Sequence, residues 1–312
     1  MPHYPSSRNR PDRHLDARCS TMDDRVPPKT QRWRDFAIAG SVLLCFVISS
    51  CQLIQPDWLT PLILVPTWCW LIVGLMLAVC GYRRNHRLRF IAVLALWGLF
   101  IALFVEEAYS LVRRRSWPTA EWQAAREHGR GIRVVSLNCE MGQSRSVEEV
   151  ARWNPDIVLL QESPSSEQLE HLSRALFGAD GAFLHGGDVS ILANGPIQSK
   201  FSNRASHFVH AELELSSGLM VDVMSVRLAP PVSRLDFWMP DFWVDHRDGR
   251  IKHRDQILDI VQHVRAVPAS SHLIVGGDFN SPPYDDSLAP LQRRLFDTFR
   301  KAGRGWGVKA LL

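Results

Sequence analysis

A carboxylate and a carboxamide follow a short apolar run in the last part of this 312-residue chain. Residues 274–277 lead into Asp278 and Asn280, which are two positions apart. In an extended segment such residues point to the same side, so both side chains are expected to face one cleft. Carboxylate and amide groups bind hard cations, and a carboxylate can also orient or deprotonate a water molecule. The spacing is compatible with metal-assisted chemistry, although a purely structural turn can have the same composition.

Two further apolar runs end in side chains of the same kind. Residues 132–140 lead to Asn138 and Glu140, and residues 156–162 lead to Gln161 and Glu162. The three runs predict three buried strands, each with a group at its carboxyl end that suits a metal or a phosphate. Ligands commonly bind at this end of the strands in α/β sheets. We therefore expect the three strand ends to meet.

The order and composition of these motifs resemble the endonuclease/exonuclease/phosphatase superfamily over about residues 132–300. The motifs are Ser-Leu-Asn, Leu-Leu-Gln-Glu and Val-Gly-Gly-Asp-Phe-Asn. The resemblance implies an α/β fold, a four-layered sandwich of two packed mixed β-sheets flanked by helices. It also implies hydrolysis of a phosphodiester or phosphomonoester by water activated on Mg²⁺ or Mn²⁺. A nuclease and a non-catalytic membrane protein remain as alternatives.

The resemblance also implies a role for each candidate residue. Glu162 is the expected metal ligand, and Asn138 would hold the metal shell or a phosphate oxygen. Asp278 would orient or deprotonate the attacking water, and Asn280 would donate a hydrogen bond to the charge that develops on the phosphate. Arg227 stands where many members of the superfamily carry His. Its guanidinium could bind a phosphate through two N–H groups. An arginine that only forms a salt bridge at the surface is an equally supported interpretation.

The sequence departs from the superfamily in its last residues. Members carry Ser-Asp-His beyond the motif found here at residues 297–299, and no Asp or His follows Asp297 in this sequence. We therefore expect the domain at residues 132–312 to be truncated at its C-terminus, with unpaired sheet edges and without the second acid. His246, His253 and His263 belong to no motif of the superfamily, and their surroundings suit solvated positions.

The first third of the chain predicts three transmembrane helices at about residues 36–54, 58–82 and 88–108. The first two contain no charged residue, and the third has an uncharged centre at residues 90–105. At about 1.5 Å per residue, the first two are long enough for a hydrocarbon core of roughly 30 Å, and the third nearly is. None has a polar face for water. A disordered basic tail at residues 1–35 would precede the spans, and a linker at residues 111–131 would follow them.

The basic residues beside the predicted spans indicate an orientation. They lie before the first span and between the second and third: Arg25, Lys29, Arg32, Arg34, Arg83, Arg84, Arg87 and Arg89. The loop at residues 55–57 has none, so the positive-inside rule predicts a multi-pass protein of the cell membrane with an extracytoplasmic C-terminal domain. The opposite side is favoured by Arg113, Arg114 and Arg115, which would place the domain in the cytoplasm if the third segment does not cross the membrane.

The charge of the domain bears on its partners. From residue 113 onward, 24 Lys and Arg residues balance 24 Asp and Glu residues. Proteins that bind nucleic acid usually have a basic surplus, so nucleic acid is possible as a partner but is not favoured. The expected partners are the lipid bilayer and a phosphate-ester substrate. Phe237, Trp238, Phe242 and Trp243 could form an apolar rim for a lipid-like ester, although aromatic residues more often cover a sheet.

Overall fold

The computed structural model describes residues 29–112, 120–202, 207–215, 218–230, 234, 236–281 and 285–303. Its helices are α1 (Lys29–Ile54), α2 (Thr60–Leu64), α3 (Thr67–Cys80), α4 (Arg87–Phe104), α5 (Glu106–Val112), α6 (Ala120–Glu127), α7 (Arg145–Glu148), α8 (Ser166–Phe177), α9 (Pro240–Ala266), α10 (Ala289–Gln292) and α11 (Thr298–Ala302). Its strands are β1 (Val134–Asn138), β2 (Ile157–Gln161), β3 (Gly181–His185), β4 (Val189–Asn194), β5 (Ile197–Ser202), β6 (Phe208–Glu214), β7 (Met220–Arg227) and β8 (Leu273–Asp278).

The eight strands form two mixed sheets. In sheet A the strand order is β1-β2-β4-β3, and in sheet B it is β5-β6-β7-β8. The pairs β1–β2 and β7–β8 are parallel, and the other neighbouring pairs are antiparallel. Each parallel pair brings two carboxyl ends to the same edge of its sheet, which is the edge where the sequence motifs end.

Apolar side chains hold the two sheets together and attach a helix to each outer face. Between the sheets, Ile157 and Leu159 belong to the same buried cluster as Val209 and Val223. On the outer face of sheet A, Val158 and Leu160 pack in one cluster with Leu169 and Leu172 of α8. On the outer face of sheet B, Met224 and Val226 pack with the α9 residues Ile257, Ile260, Val261 and Val264. The layers are helix, sheet, sheet, helix, so the predicted sandwich of two mixed sheets with flanking helices is confirmed.

Two of the three strands that were predicted to be buried are only partly buried. All five residues of β2 are buried, whereas those of β1 and β8 are mostly of intermediate exposure. The reason is position, because β1 and β8 lie at the edges of their sheets. Within the described ranges, no strand pairs with the outer edge of either one. An apolar run in the sequence does not distinguish an edge strand from a central one.

The N-terminal helices form a separate apolar layer in which α1, α3 and α4 pack together. Ser41 Oγ donates a hydrogen bond to the Gly74 carbonyl over 2.8 Å, and Trp97 Nε1 donates to Ser41 Oγ over 3.0 Å. This chain of bonds joins all three helices. In apolar surroundings, small residues and shared polar groups of this kind allow helices to approach closely.

Two helices of this layer, Arg32–Ile54 and Arg84–Phe104, are long and apolar enough to cross a membrane. The predicted second span corresponds to a pair of helices, Asp57–Leu64 and Thr67–Cys80, bent by 78°, so the described residues contain two candidate spans, or three if the bent pair is one span. Pro66 lies at the break, and proline cannot continue the hydrogen-bonded ladder of a helix. The third predicted span ends at Phe104, before α5.

The predicted flanking segments are described only in part. The helix α1 begins at Lys29, inside the predicted tail, and α6 occupies eight residues of the predicted linker. Residues 1–28, the arginines at 113–115 and residues 304–312 lie outside the described residues.

Replacement of Gly74 tests the packing of the apolar layer. A Cβ at this position would fall on the Trp97 indole, so Gly74→Ala is expected to destabilise the layer by about 1–3 kcal/mol. The measurement is the thermal unfolding midpoint of the full chain in detergent. The matched control is Gly98→Ala in α4, where no described atom other than the adjoining backbone of the same helix and its chain neighbours lies within 4 Å of the added Cβ. Equal midpoints for the two variants would contradict the close approach of α3 and α4.

Candidate active site

Four strand ends bring the candidate residues to one edge of the sandwich. In sheet A, Asn138 at the end of β1 is paired with Gln161 at the end of β2, and Glu162 follows directly. In sheet B, Arg227 at the end of β7 is paired with Asp278 at the end of β8. Because the sheets pack face to face, groups from both meet at this edge.

The Asn138 side chain joins the two sheets through their carboxylates. Its Nδ2 donates one hydrogen bond to Glu162 Oε1 and another to Asp278 Oδ2, each over 3.1 Å. Its Oδ1 accepts a hydrogen bond from the Glu140 backbone N–H over 3.0 Å. In this orientation the amide positions both carboxylates, and its predicted role in holding the metal shell or a phosphate oxygen stays a prediction.

Glu162 is held as a carboxylate. Hydrogen bonds from the Asn138 side chain and from the Met141 N–H lower the pKa of Glu162, and the charge of Arg227 lowers it further against the effect of burial. The Met141 N–H donates to Oε2 over 2.7 Å, and Arg227 Nη2 donates to Oε1 over 2.9 Å. The carboxylate is therefore ionised near neutral pH, as a metal ligand must be.

Arg227 forms salt bridges with two carboxylates, those of Glu162 and Asp188. Its Nη1 donates to Asp188 Oδ2 over 2.5 Å, while its Nη2 contacts Glu162. Burial opposes the charged form, but the carboxylates of Asp188, Glu162 and Asp278 outweigh it and raise the pKa of Arg227. Among the described residues its buried Nε has no hydrogen-bond partner. This is a partly buried cation inside the site, and not an isolated salt bridge on the surface.

The turn after β8 fixes Asp278 by local hydrogen bonds. The Asn280 N–H donates to Asp278 Oδ1 over 3.1 Å, and Asn280 Nδ2 donates to the Leu228 carbonyl over 2.8 Å. The amide of Asn280 thus closes the turn in this structure, and the predicted hydrogen bond from Asn280 to the charge that develops on the phosphate stays a prediction. Gly277 has a φ of 145°, and a Cβ there would collide with the Val226 carbonyl, so glycine is required.

Backbone strain is concentrated around this site. Six described residues other than glycine have a positive φ, and four of them are Glu140, Met141, Glu162 and Asn280. Each such conformation costs of order 1–3 kcal/mol and persists only where the surroundings enforce it. In these conformations the Met141 N–H donates to the Glu162 carboxylate, a contact that the sequence motifs do not reveal.

His253 is a supporting residue that the sequence reasoning assigned wrongly to solvent. It is buried, and its Nε2 donates to the Phe279 carbonyl over 2.7 Å and lies 3.3 Å from Ser281 Oγ. Burial lowers the pKa of His253, and it lowers those of His246 and His263 as well. His253 lies four positions before Ile257 and seven before Ile260, so the apolar stripe of the helix was the signal that could have placed it inside.

The donor set fits a hard divalent cation. Glu162 and Asp278 present carboxylate oxygens on either side of one amide, and an ion such as Mg²⁺ takes one or two carboxylates and keeps several waters for a phosphate to replace. Groups of three or more His, Cys, Asp or Glu that could hold a metal are absent from the part of the chain that the structure describes. Carboxylate and amide oxygens are ligands of a hard cation, whereas zinc is usually held by nitrogen and sulfur atoms.

Comparison with known families agrees with this geometry. The model of the Endonuclease/Exonuclease/phosphatase family matches residues 135–310, which is more than half of the chain. The chain belongs to this family. Members of the endonuclease/exonuclease/phosphatase family are phosphoesterases or nucleases and generally depend on divalent metals. The resemblance predicted from the sequence motifs is confirmed at the level of the family.

Several solved structures are similar to this chain, at low sequence identity and low TM-score. A humanized D. rerio TDP2 is 16% identical, with a TM-score of 0.38 over 51% of this chain and 65% of that chain. An endonuclease/exonuclease/phosphatase from Beutenbergia cavernae DSM 12333 is 16% identical, with a TM-score of 0.34 over 51% and 52%. An AP endonuclease from Archaeoglobus fulgidus is 13% identical, with a TM-score of 0.35 over 55% and 68%. The chain thus spans less than two thirds of the TDP2 structure, and no curated protein matches it.

The buried His253 predicts a loss of stability in acid. Its pKa is lowered in the folded protein, so the unfolded chain binds the proton more tightly and stability falls as the pH drops below about 6.5. His253→Gln keeps a donor for the Phe279 carbonyl but does not titrate. We expect its unfolding midpoint to fall less than that of the wild type between about pH 7.5 and about pH 5.5.

The matched control for this measurement is His171→Gln, which changes an exposed histidine of α8. An equally steep pH dependence in the wild type and in His253→Gln would contradict the contribution of this residue.

Proposed function

We propose that this protein is a membrane-anchored phosphoesterase that hydrolyses a phosphodiester or phosphomonoester with the help of Mg²⁺ or Mn²⁺. One observation carries the proposal, which is the bridge from Asn138 Nδ2 to the carboxylates of Glu162 and Asp278. Through it, two sheets deliver two anionic groups to one point, with the Arg227 guanidinium beside them. Family membership gives this geometry its chemical context.

Each candidate residue has its own expected role in the hydrolysis. When bound, a divalent cation stabilises a phosphate oxygen and makes water more acidic. Glu162, kept ionised by Asn138 and Met141, would hold that cation. Asp278, fixed by bonds to both of its oxygens, would orient a water molecule and accept its proton. Arg227 would stabilise the negative charge of the phosphate, because its neighbours keep it protonated.

Two carboxylate substitutions test the chemistry. Asp278→Ala is expected to lower kcat on bis(p-nitrophenyl) phosphate at least about 100-fold, because it removes the proton acceptor. Glu162→Gln keeps the shape of the side chain and removes its charge, so the Mg²⁺ concentration for half-maximal activity should rise at least about tenfold. Glu170→Ala, which removes an exposed carboxylate of α8, is the control and should leave both values unchanged.

The same assay distinguishes the proposed phosphoesterase from a non-catalytic membrane protein and from a nuclease. Hydrolysis by the wild type should stop with a chelator and return with Mg²⁺ or Mn²⁺. Equal background in the wild type and in Asp278→Ala would overturn the enzymatic proposal and leave a non-catalytic membrane protein. Single-stranded DNA is the competing substrate, since one solved D. rerio TDP2 is complexed with a single-strand DNA product. Faster cleavage of DNA than of the small ester would favour a nuclease.

The placement of the domain outside the cytoplasm is supported by its contacts with the apolar layer. The loop between α1 and α2 touches α9, because Arg250 Nη2 donates to Gln55 Oε1 and Arg250 Nε donates to Asp57 Oδ1, each over 3.1 Å. That loop has no basic residue. At the opposite end of the layer, Arg83 forms a salt bridge with Asp35. The arginines at that end are expected to lie on the cytoplasmic side by the positive-inside rule. Under this proposal the domain and the loop lie on the same side of the membrane, away from the arginines.

Reporter fusions test this placement. Alkaline phosphatase, which is active only after export, is expected to be active when fused after Leu312 and inactive when fused in the loop after Arg84. A green fluorescent protein at the same two positions should show the reverse pattern. Activity of alkaline phosphatase at the Arg84 position alone would place the domain in the cytoplasm and contradict the proposal.

A further inference from the structure

The helix α9 is longer than the sheet that it covers. Its 27 residues span about 40 Å, and its C-terminal half carries the four apolar residues that pack on sheet B. His253 meets the Phe279 carbonyl just after the end of β8. Residues 240–252 therefore extend beyond the sheet by about 15–20 Å, on the side where the strands carry the candidate active site.

The projecting part of α9 is attached to the apolar layer. Arg250 is buried and also contacts Asp285 and Asp286, while Arg254 Nη2 donates to Asp57 Oδ1 over 2.6 Å. Three residues before Arg250, the Arg247 guanidinium lies 4.4 Å from the centre of the Trp58 ring. The edge of the sandwich with Glu162 and Asp278 consequently faces the apolar helices.

The segment directly before α9 exposes a group of large apolar side chains, which we call the aromatic tip: Phe237, Trp238 and Met239. Phe237 is 63% exposed and Trp238 is 70% exposed, and their rings contact each other edge to face. Phe242, five residues after Phe237, is buried and covers the protein interior. The tip residues do not share that role, and aromatic side chains of this kind are favoured at the interface between membrane and water.

We infer that the aromatic tip rests in the interface of the bilayer that surrounds the apolar layer, and that the active site hydrolyses phosphate esters displayed on that bilayer. The tip directly precedes α9, and Arg247 of α9 lies against Trp58 in the 3₁₀ turn Asp57–Leu59, so the bilayer around that turn is the surface nearest to the tip. The inference rests on the proposed membrane placement and phosphoesterase activity. It adds the surface and the class of substrate.

The reaction on such an ester balances as a hydrolysis. The oxygen of a water molecule forms a bond to phosphorus, and the P–O bond to the lipid breaks. One proton of that water passes to Asp278 and then to solvent, and the leaving oxygen takes a proton from water. The aromatic tip takes no part in these steps, because its role is to hold the domain at the surface.

Photocrosslinking tests the surface without any need for activity. The full chain is reconstituted in vesicles of phosphatidylethanolamine and phosphatidylglycerol, with p-benzoylphenylalanine at position 238 or at position 153. Trp153 is 55% exposed and precedes β2, so it lies at the opposite end of the sandwich from the tip. We expect lipid adducts by mass spectrometry at position 238 and none at position 153. No adduct at position 238, or equal adducts at both, would overturn the inference.

Kinetics test the class of substrate. The double variant Phe237→Ser with Trp238→Ser is expected to hydrolyse the phospholipids of the same vesicles at least about tenfold more slowly than the wild type. Its rate on soluble bis(p-nitrophenyl) phosphate should equal that of the wild type. Equal rates on both substrates would overturn the role of the tip. A wild type that cleaves the soluble ester but no vesicle lipid would refute the substrate class alone, whereas inactivity on both would refute the proposed function.

Discussion

One carboxamide connects the two halves of the candidate active site. Asn138 Nδ2 carries two hydrogens, and each is directed at a carboxylate from a different sheet. Two carboxylates brought this close would otherwise repel each other, and the positive groups around them offset that repulsion. The arrangement requires β1 to pair with β2 in one register and sheet A to face sheet B, because a slip of one residue would turn Asn138 to the other face.

The conformations that support this contact are costly, and they are confined to a small region. Glu140, Met141, Glu162 and Asn280 all adopt left-handed backbone angles, and Gly277 takes one that other residues rarely adopt. The buried strands behind them have ordinary geometry and apolar packing on both faces. A well-packed sandwich therefore stabilises a strained rim. This division is common where side chains must be held ready for chemistry.

The sequence predicted the parts of the site that depend on local pattern. Apolar runs that end in Asn138, Glu162 and Asp278 specify strands, and the alternation of side chains along a strand brings their ends together. Other features depend on contacts that no local pattern encodes. The half-buried state of β1 and β8 follows from their place at the sheet edges, and the strained turn at Asn280 depends on the Leu228 carbonyl. The predicted second span contains Pro66, which lies at the break between its two helices, but the 78° angle between them is not encoded by any local pattern.

The contact between Gln55 and Arg250 has a consequence for the order of assembly. The two residues are 195 positions apart, so the ribosome makes the loop long before it makes its partner. During that interval α1, α3 and α4 can associate through the bonds of Ser41, whereas Asp57 stays hydrated until α9 arrives. Contacts between such distant positions form late in folding, because the intervening chain must first become ordered. Docking of the domain on this loop can therefore begin only after α9 has been made.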